Sequence, residues 1–184
     1  MMPSFRLDHG WPWLLLWNLA GFAGALVANS FVEWLAHRFI LHSKKIVGFA
    51  YELHDVSHHG MFGADETYHA QDENMRNHIT FVPRDYVMFL LVTTPLWVGA
   101  ELLLQRPVLW GGILATLVGL QAFNSFHFRF HCPSDTWFQR TMFFRSLKEH
   151  HRIHHRDKTR NFNVFFFPLA DWVLGTLVRK DPRP

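Results

Sequence analysis

The chain has 184 residues, a length suited to one domain, and 49% of them are hydrophobic, including 19 Phe and 8 Trp. Its single cysteine, Cys132, excludes intramolecular disulfides and Cys-rich zinc or iron–sulfur sites built within the chain. A formal charge of +3 and a pI of about 9.3 suit an anionic membrane face, and no nucleic-acid motif accompanies the charge.

Trp11 to Phe31 reads WPWLLLWNLAGFAGALVANSF and contains no charge. At 1.5 Å per residue it is long enough to cross a hydrocarbon core of roughly 30 Å. Trp11, Trp13 and Trp17 crowd one end and Trp34 flanks the other, as interfacial aromatics do. No basic region precedes it and no small-residue cleavage site follows, so a retained span is expected rather than a signal peptide.

Residues 86–104 and 107–126 make two further apolar blocks, separated by Gln105 and Arg106 alone, and predict a tight helical hairpin. Pro95 should kink the first helix, and Pro107 can open the second because that position needs no amide donor. Gly111, Gly112 and Gly119 would permit close helix approach in lipid. Residues 162–178 are apolar but interrupted by Pro168 and Asp171, which predicts an interfacial segment or a lid rather than a fourth span.

Sixteen of the 18 Lys and Arg lie in 32–85 and 127–184; only Arg6 and Arg106 fall on the other side. The positive-inside rule makes those two segments cytoplasmic and places the N-terminus opposite. The expected fold is therefore all-α: one membrane-embedded domain over 1–184, about three transmembrane helices, and a cytoplasmic helical cap.

Thirteen of the 14 histidines fall on that same side, the exception being His9. They form four groups: His37 and His42; His54, His58 and His59; His127 and His131; His151, His154 and His155. On an α-helix, residues three or four apart share a face, so His54 with His58, His127 with His131, and His151 with His154 and His155 should point together. The five-residue step from His37 to His42 is less co-facial, which leaves open different metals or a helix ending between them. Imidazoles gathered in one cavity are held neutral by burial and mutual repulsion, and neutral imidazole binds Zn, Cu, Fe or Ni. One mononuclear site uses about four protein ligands, so ten imply two metals.

The four groups in this order, with a membrane hairpin between the second and third, resemble the fatty acid hydroxylase/sterol desaturase superfamily. The likeness runs from about Glu33 to Thr176. It is strongest in LKEHHRIHH, then Asn161 to Val164, then Asp171, Gly175 and Thr176. The resemblance implies a histidine-ligated centre of two Fe ions, with Zn as the alternative occupant, that activates O2 to attack unactivated C–H bonds of lipids. It implies the ligand set His37, His42, His54, His58, His59, His127, His131, His151, His154 and His155. His150 offers a competing register, and His69 and His78 lie in a stretch between His59 and Pro83 that is longer than usual for the family. Asn124 stands three residues before the third group, where a carboxylate is common.

The expected activity is thus membrane-bound, O2-dependent hydroxylation of a fatty acyl, sterol or isoprenoid chain. Desaturation or carotenoid hydroxylation on the same scaffold is the nearest rival, and a non-oxidative zinc-binding membrane protein the next. No cytochrome b5 domain is fused within these residues, so a separate electron donor, cytochrome b5-like or a ferredoxin and reductase, is expected. Glu33 and Glu149 are candidates to orient ligand imidazoles or are solvated; Cys132 reads as a packing residue. Phe126, Phe128 and Phe130 are candidates for a substrate tunnel.

Overall fold

A computed structural model describes residues 10–164 and 167–180, so Arg6 and His9 lie outside the described residues. The fold is all-helical, with no strand among the described residues. In chain order the main elements are α1 (Gly10–Ala36), a π turn (His37–Leu41), α2 (Gly48–Tyr51), a second π segment (Glu52–His58), α3 (His59–Met61) and α4 (Glu73–Asn77). They continue with α5 (Pro83–Leu104), α6 (Leu109–His131), α7 (Met142–Arg156) and α8 (Leu169–Val173). Three stretches are long and apolar enough to cross a membrane: Gly10–Leu41, Pro83–Leu104 and Leu109–His131. These match the expected spans, and their apolar composition is compatible with an integral membrane protein.

The chain divides into two compact units. The first comprises Met1–Asn29 and Phe81–Gln121. Its small core is Ala25, Trp97 and Ala115, packed by Phe22, Leu26 and Ile113. Glycine makes this packing possible. A Cβ on Gly111 would overlap the Asn18 carbonyl, and one on Gly112 would run into the Trp97 ring. Asn18 reaches across to accept the Gly111 N–H at 2.8 Å, and Trp97 Nε1 donates to Thr116 at 3.2 Å. Leu16, Leu91 and Leu103 are 62%, 69% and 87% exposed, which suits a lipid surround rather than water. Helix α5 runs through Pro95. Gln105 takes a left-handed conformation at the turn, and α6 begins at Leu109 rather than Pro107, its first amide held by the Glu101 carboxylate at 2.9 Å. The acid replaces the role expected of proline: it satisfies an amide that would otherwise be orphaned at the helix start.

The second unit comprises Ser30–Thr80 and Ala122–Pro184. Tyr68, Phe130, Phe144, Leu147 and Val164 form one core, and Trp34, Phe162 and Ala170 another. Segment 162–178 is no span. Asn161, Phe162, Asn163 and Val164 are buried, whereas Trp172 and Val173 on α8 are exposed. Asp171, fully buried, ties the segment together. Its carboxylate accepts the Phe162 N–H at 2.9 Å, the Asn163 N–H at 2.8 Å and the Thr176 hydroxyl at 2.6 Å. Glu33 anchors the same segment from α1, accepting the Val164 N–H at 2.7 Å and the Asn163 amide at 3.0 Å.

Candidate metal centre

All ten histidines of the implied ligand set lie in the second unit and fall into two groups of five. His37, His42, His54, His59 and His154 offer ligand atoms within 4.8 Å of one another; so do His58, His127, His131, His151 and His155. The backbone explains the division. In α6 and α7 hydrogen bonds run over four residues, so His127 pairs with His131 and His151 with His155, the latter pair 3.0 Å apart at Nε2. In the two π segments they run over five. The His42 N–H donates to the His37 carbonyl at 3.1 Å, and the two rings stack 5.1 Å apart at an interplanar angle of 12°. His54 and His59, also five apart, share the first group at 3.2 Å between Nε2 atoms.

This corrects three local expectations. The H-x4-H pair is co-facial because its helix is π, not α. His54 and His58, four apart, are split between the groups for the same reason. His154 parts from His151 and His155 and joins the first group, so α7 serves both.

Most rings are oriented through Nδ1. His37 donates to the Phe162 carbonyl at 2.5 Å, His131 to Tyr68 at 2.7 Å, His154 to Arg160 at 2.7 Å and His155 to Phe62 at 2.6 Å. His127 faces the Ile79 carbonyl at 3.3 Å. His42 Nδ1 meets Asp55 Oδ1 at 2.5 Å, and Lys158 donates to the same oxygen at 3.1 Å. A carbonyl can only accept, so Nδ1 carries the proton and Nε2 a bare lone pair.

The Nε2 atoms then face each other: His42 with His154 at 3.0 Å, His37 with His54 at 2.9 Å, His131 with His151 at 3.2 Å, His58 with His127 at 3.2 Å. His42 and His154 both keep their proton on Nδ1, so two lone pairs meet at that contact and repel unless a cation lies between them. Metal–imidazole bonds of about 2.0–2.1 Å put adjacent nitrogens at about 3 Å, so the donor sets fit one ion each. Electrostatics agree. Burial first, then repulsion from His37, depresses His42 to about 3 against the pull of Asp55; burial and His42 depress His154 to about 3. Burial and neighbouring imidazoles likewise push His54, His58, His59, His151 and His155 down. Metal-free, these rings are neutral at physiological pH, the form that binds metal.

The other candidates stand outside both groups. His150 is buried but faces Asp171 at 3.2 Å. His69 meets Lys148 at 2.9 Å, and His78 is exposed at the end of α4. Glu149 pairs with Arg152 at 2.8 Å. Asp55 was not singled out from sequence: an acid directly after His54 has no local mark distinguishing it from a solvated one. The carbonyl partners carry no sequence signal, because every residue has a carbonyl.

No curated protein and no solved structure matches the chain. The fatty acid hydroxylase family model matches residues 22–176, a range that holds both histidine groups and the Asn161–Thr176 segment that braces them. Proteins of that family act on lipids as hydroxylases or desaturases, so the chain is of an oxidoreductase type with histidine clusters able to hold metal. By this match over most of its length, the chain belongs to the fatty acid hydroxylase family.

Proposed function

We propose that the chain is a membrane-bound, O2-dependent di-iron oxygenase that hydroxylates an aliphatic C–H bond of a lipid. The observation that carries this reading is the pair of five-imidazole clusters, whose ligand nitrogens lie within 4.8 Å of one another in each, in a chain of this family. Two iron ions held there would supply O2 activation. The ten histidines are the ligands, five to each ion. The chain's other residues hold those ligands and keep water away. The Phe62, Tyr68, Arg160 and Phe162 carbonyls fix the Nδ1 protons, and Asp55 does so for His42. Phe62 and Phe162, both essentially inaccessible, pack against ligand rings and exclude solvent from the oxidising site.

The lipid substrate comes from the bilayer. A separate cytochrome b5-like protein, or a ferredoxin with its reductase, supplies electrons. The basic bias of 32–85 and 127–184 supports a cytoplasmic site with the N-terminus opposite.

The test is oxygen consumption by the iron-loaded full chain in membranes, followed by mass spectrometry of the lipids. The expected product carries one added oxygen atom. Loss of two hydrogens would assign desaturation instead. Full activity with zinc and no O2 consumption would reject the oxygenase reading.

A further inference from the structure

Helix α4 lies in the long stretch between the second and third histidine groups, and its Arg76 has no part in the metal centre. Arg76 lines a groove of about 270 Å³ with Phe128, Arg129, Cys132, Pro133 and Ser134. Arg129 donates to the Ser125 carbonyl of its own helix at 2.9 Å. Among the described residues no carboxylate forms an ion pair with either guanidinium. Nearby in sequence, Asp72 accepts the Met75 N–H and Asp135 is gripped by Arg140, while Glu73, three residues before Arg76 on α4, forms no ion pair with it. Two exposed guanidiniums thus line one groove with no carboxylate paired to either, and an oxyanion there would take charge-assisted bonds from both.

The position of the groove selects the anion. Arg129 lies in the last turn of a helix able to cross a membrane. The ends of such helices lie at the level of lipid phosphates. The chain then leaves through Pro133 and Ser134 into a connection to α7 along which Trp137 (79%) and, at the start of α7, Met142 (88%) are exposed, with Arg140 between them in sequence. Exposed apolar side chains mixed with cations suit a bilayer interface better than water.

We propose that Arg76 and Arg129 form a headgroup site for an anionic membrane phospholipid, whose phosphate is held between the two guanidiniums. The site rests on Leu109–His131 crossing the bilayer and is independent of the chemistry at the histidines.

Cys132, the chain's only cysteine, lines the groove and reports its occupancy. The full chain in phosphatidylglycerol nanodiscs should react with an uncharged maleimide about tenfold more slowly than in phosphatidylcholine nanodiscs, given two basic contacts to one lipid. The double variant R76Q/R129Q should lose the difference, and R76K/R129K should keep part of it. Equal rates for the natural chain in the two lipids would overturn the proposal, as would a difference that survives in R76Q/R129Q. If R76Q/R129Q does not fold, the lysine variant and the natural chain decide between these outcomes. Inorganic phosphate, added to phosphatidylcholine nanodiscs, should give no protection; full protection by it would assign the groove to free phosphate and reject the lipid.

Discussion

His42 Nε2 and His154 Nε2 stand 3.0 Å apart, and neither can donate a hydrogen to the other. Each has spent its one proton on Nδ1, towards Asp55 and the Arg160 carbonyl. A cation resolves the contact. Replacing His154 with Ala should therefore lower the metal content of the purified chain from about two ions to about one. Elemental analysis against protein concentration checks this. An unchanged ratio would remove His154 from the ligand set.

Asp55 should matter nearly as much as a ligand. Burial works against its charge, but the bonds from His42 and Lys158 hold its carboxyl below the usual range. It therefore remains an anion and fixes the His42 tautomer. D55A should weaken metal binding or activity by about 10- to 100-fold, as loss of such outer partners does. Competition with a chelator of known affinity measures the change.

Asp171 is expected to be a stability residue. Burial raises its pKa, yet His150 and Thr176 outweigh that and keep the carboxyl below its ordinary value. D171N would turn an amide N–H towards donors that now meet oxygen. The cost should be about 3 kcal/mol, read as a lowered unfolding temperature of the full chain. Its effect on the metal centre would follow, because Asp171 holds Phe162 and the Phe162 carbonyl holds His37.

The metal-free protein should lose stability on acidification. His42 and His154 titrate near 3 in the folded chain, against 6.5 for an unperturbed histidine. Between those values the unfolded chain binds protons that the folded one refuses, so stability rises with pH. The contribution is fully present above about 6.5 and is lost as pH falls towards about 3. Denaturant unfolding of chelator-treated protein across that window should show a falling midpoint. A flat midpoint would contradict the neutral-imidazole picture.

Two glycines in one helical unit should respond oppositely. Gly111→Ala forces a methyl into the Asn18 carbonyl and should cost about 1–3 kcal/mol. Gly24→Ala meets nothing within 4 Å and should be neutral or stabilising by up to about 1 kcal/mol. Thermal melts of the two variants in one detergent make the comparison.

Three spans, an all-helical fold, four histidine groups and a family resemblance were legible in the amino-acid order, because apolar run length and ligand chemistry are properties of short stretches. How ten histidines divide was not. That division depends on whether a helical turn closes over four residues or five, and H-x4-H carries no mark of a π turn until the chain has packed. The groups that fix the rings were equally hidden: the carbonyl that orients His37 lies 125 residues away on Phe162, and the Nε2 facing His42 lies 112 residues away on His154. Such pairs exist only once the helices and the Asn161–Val164 segment have closed on one another, so tertiary structure alone decided which nitrogen keeps its proton and which turns inward.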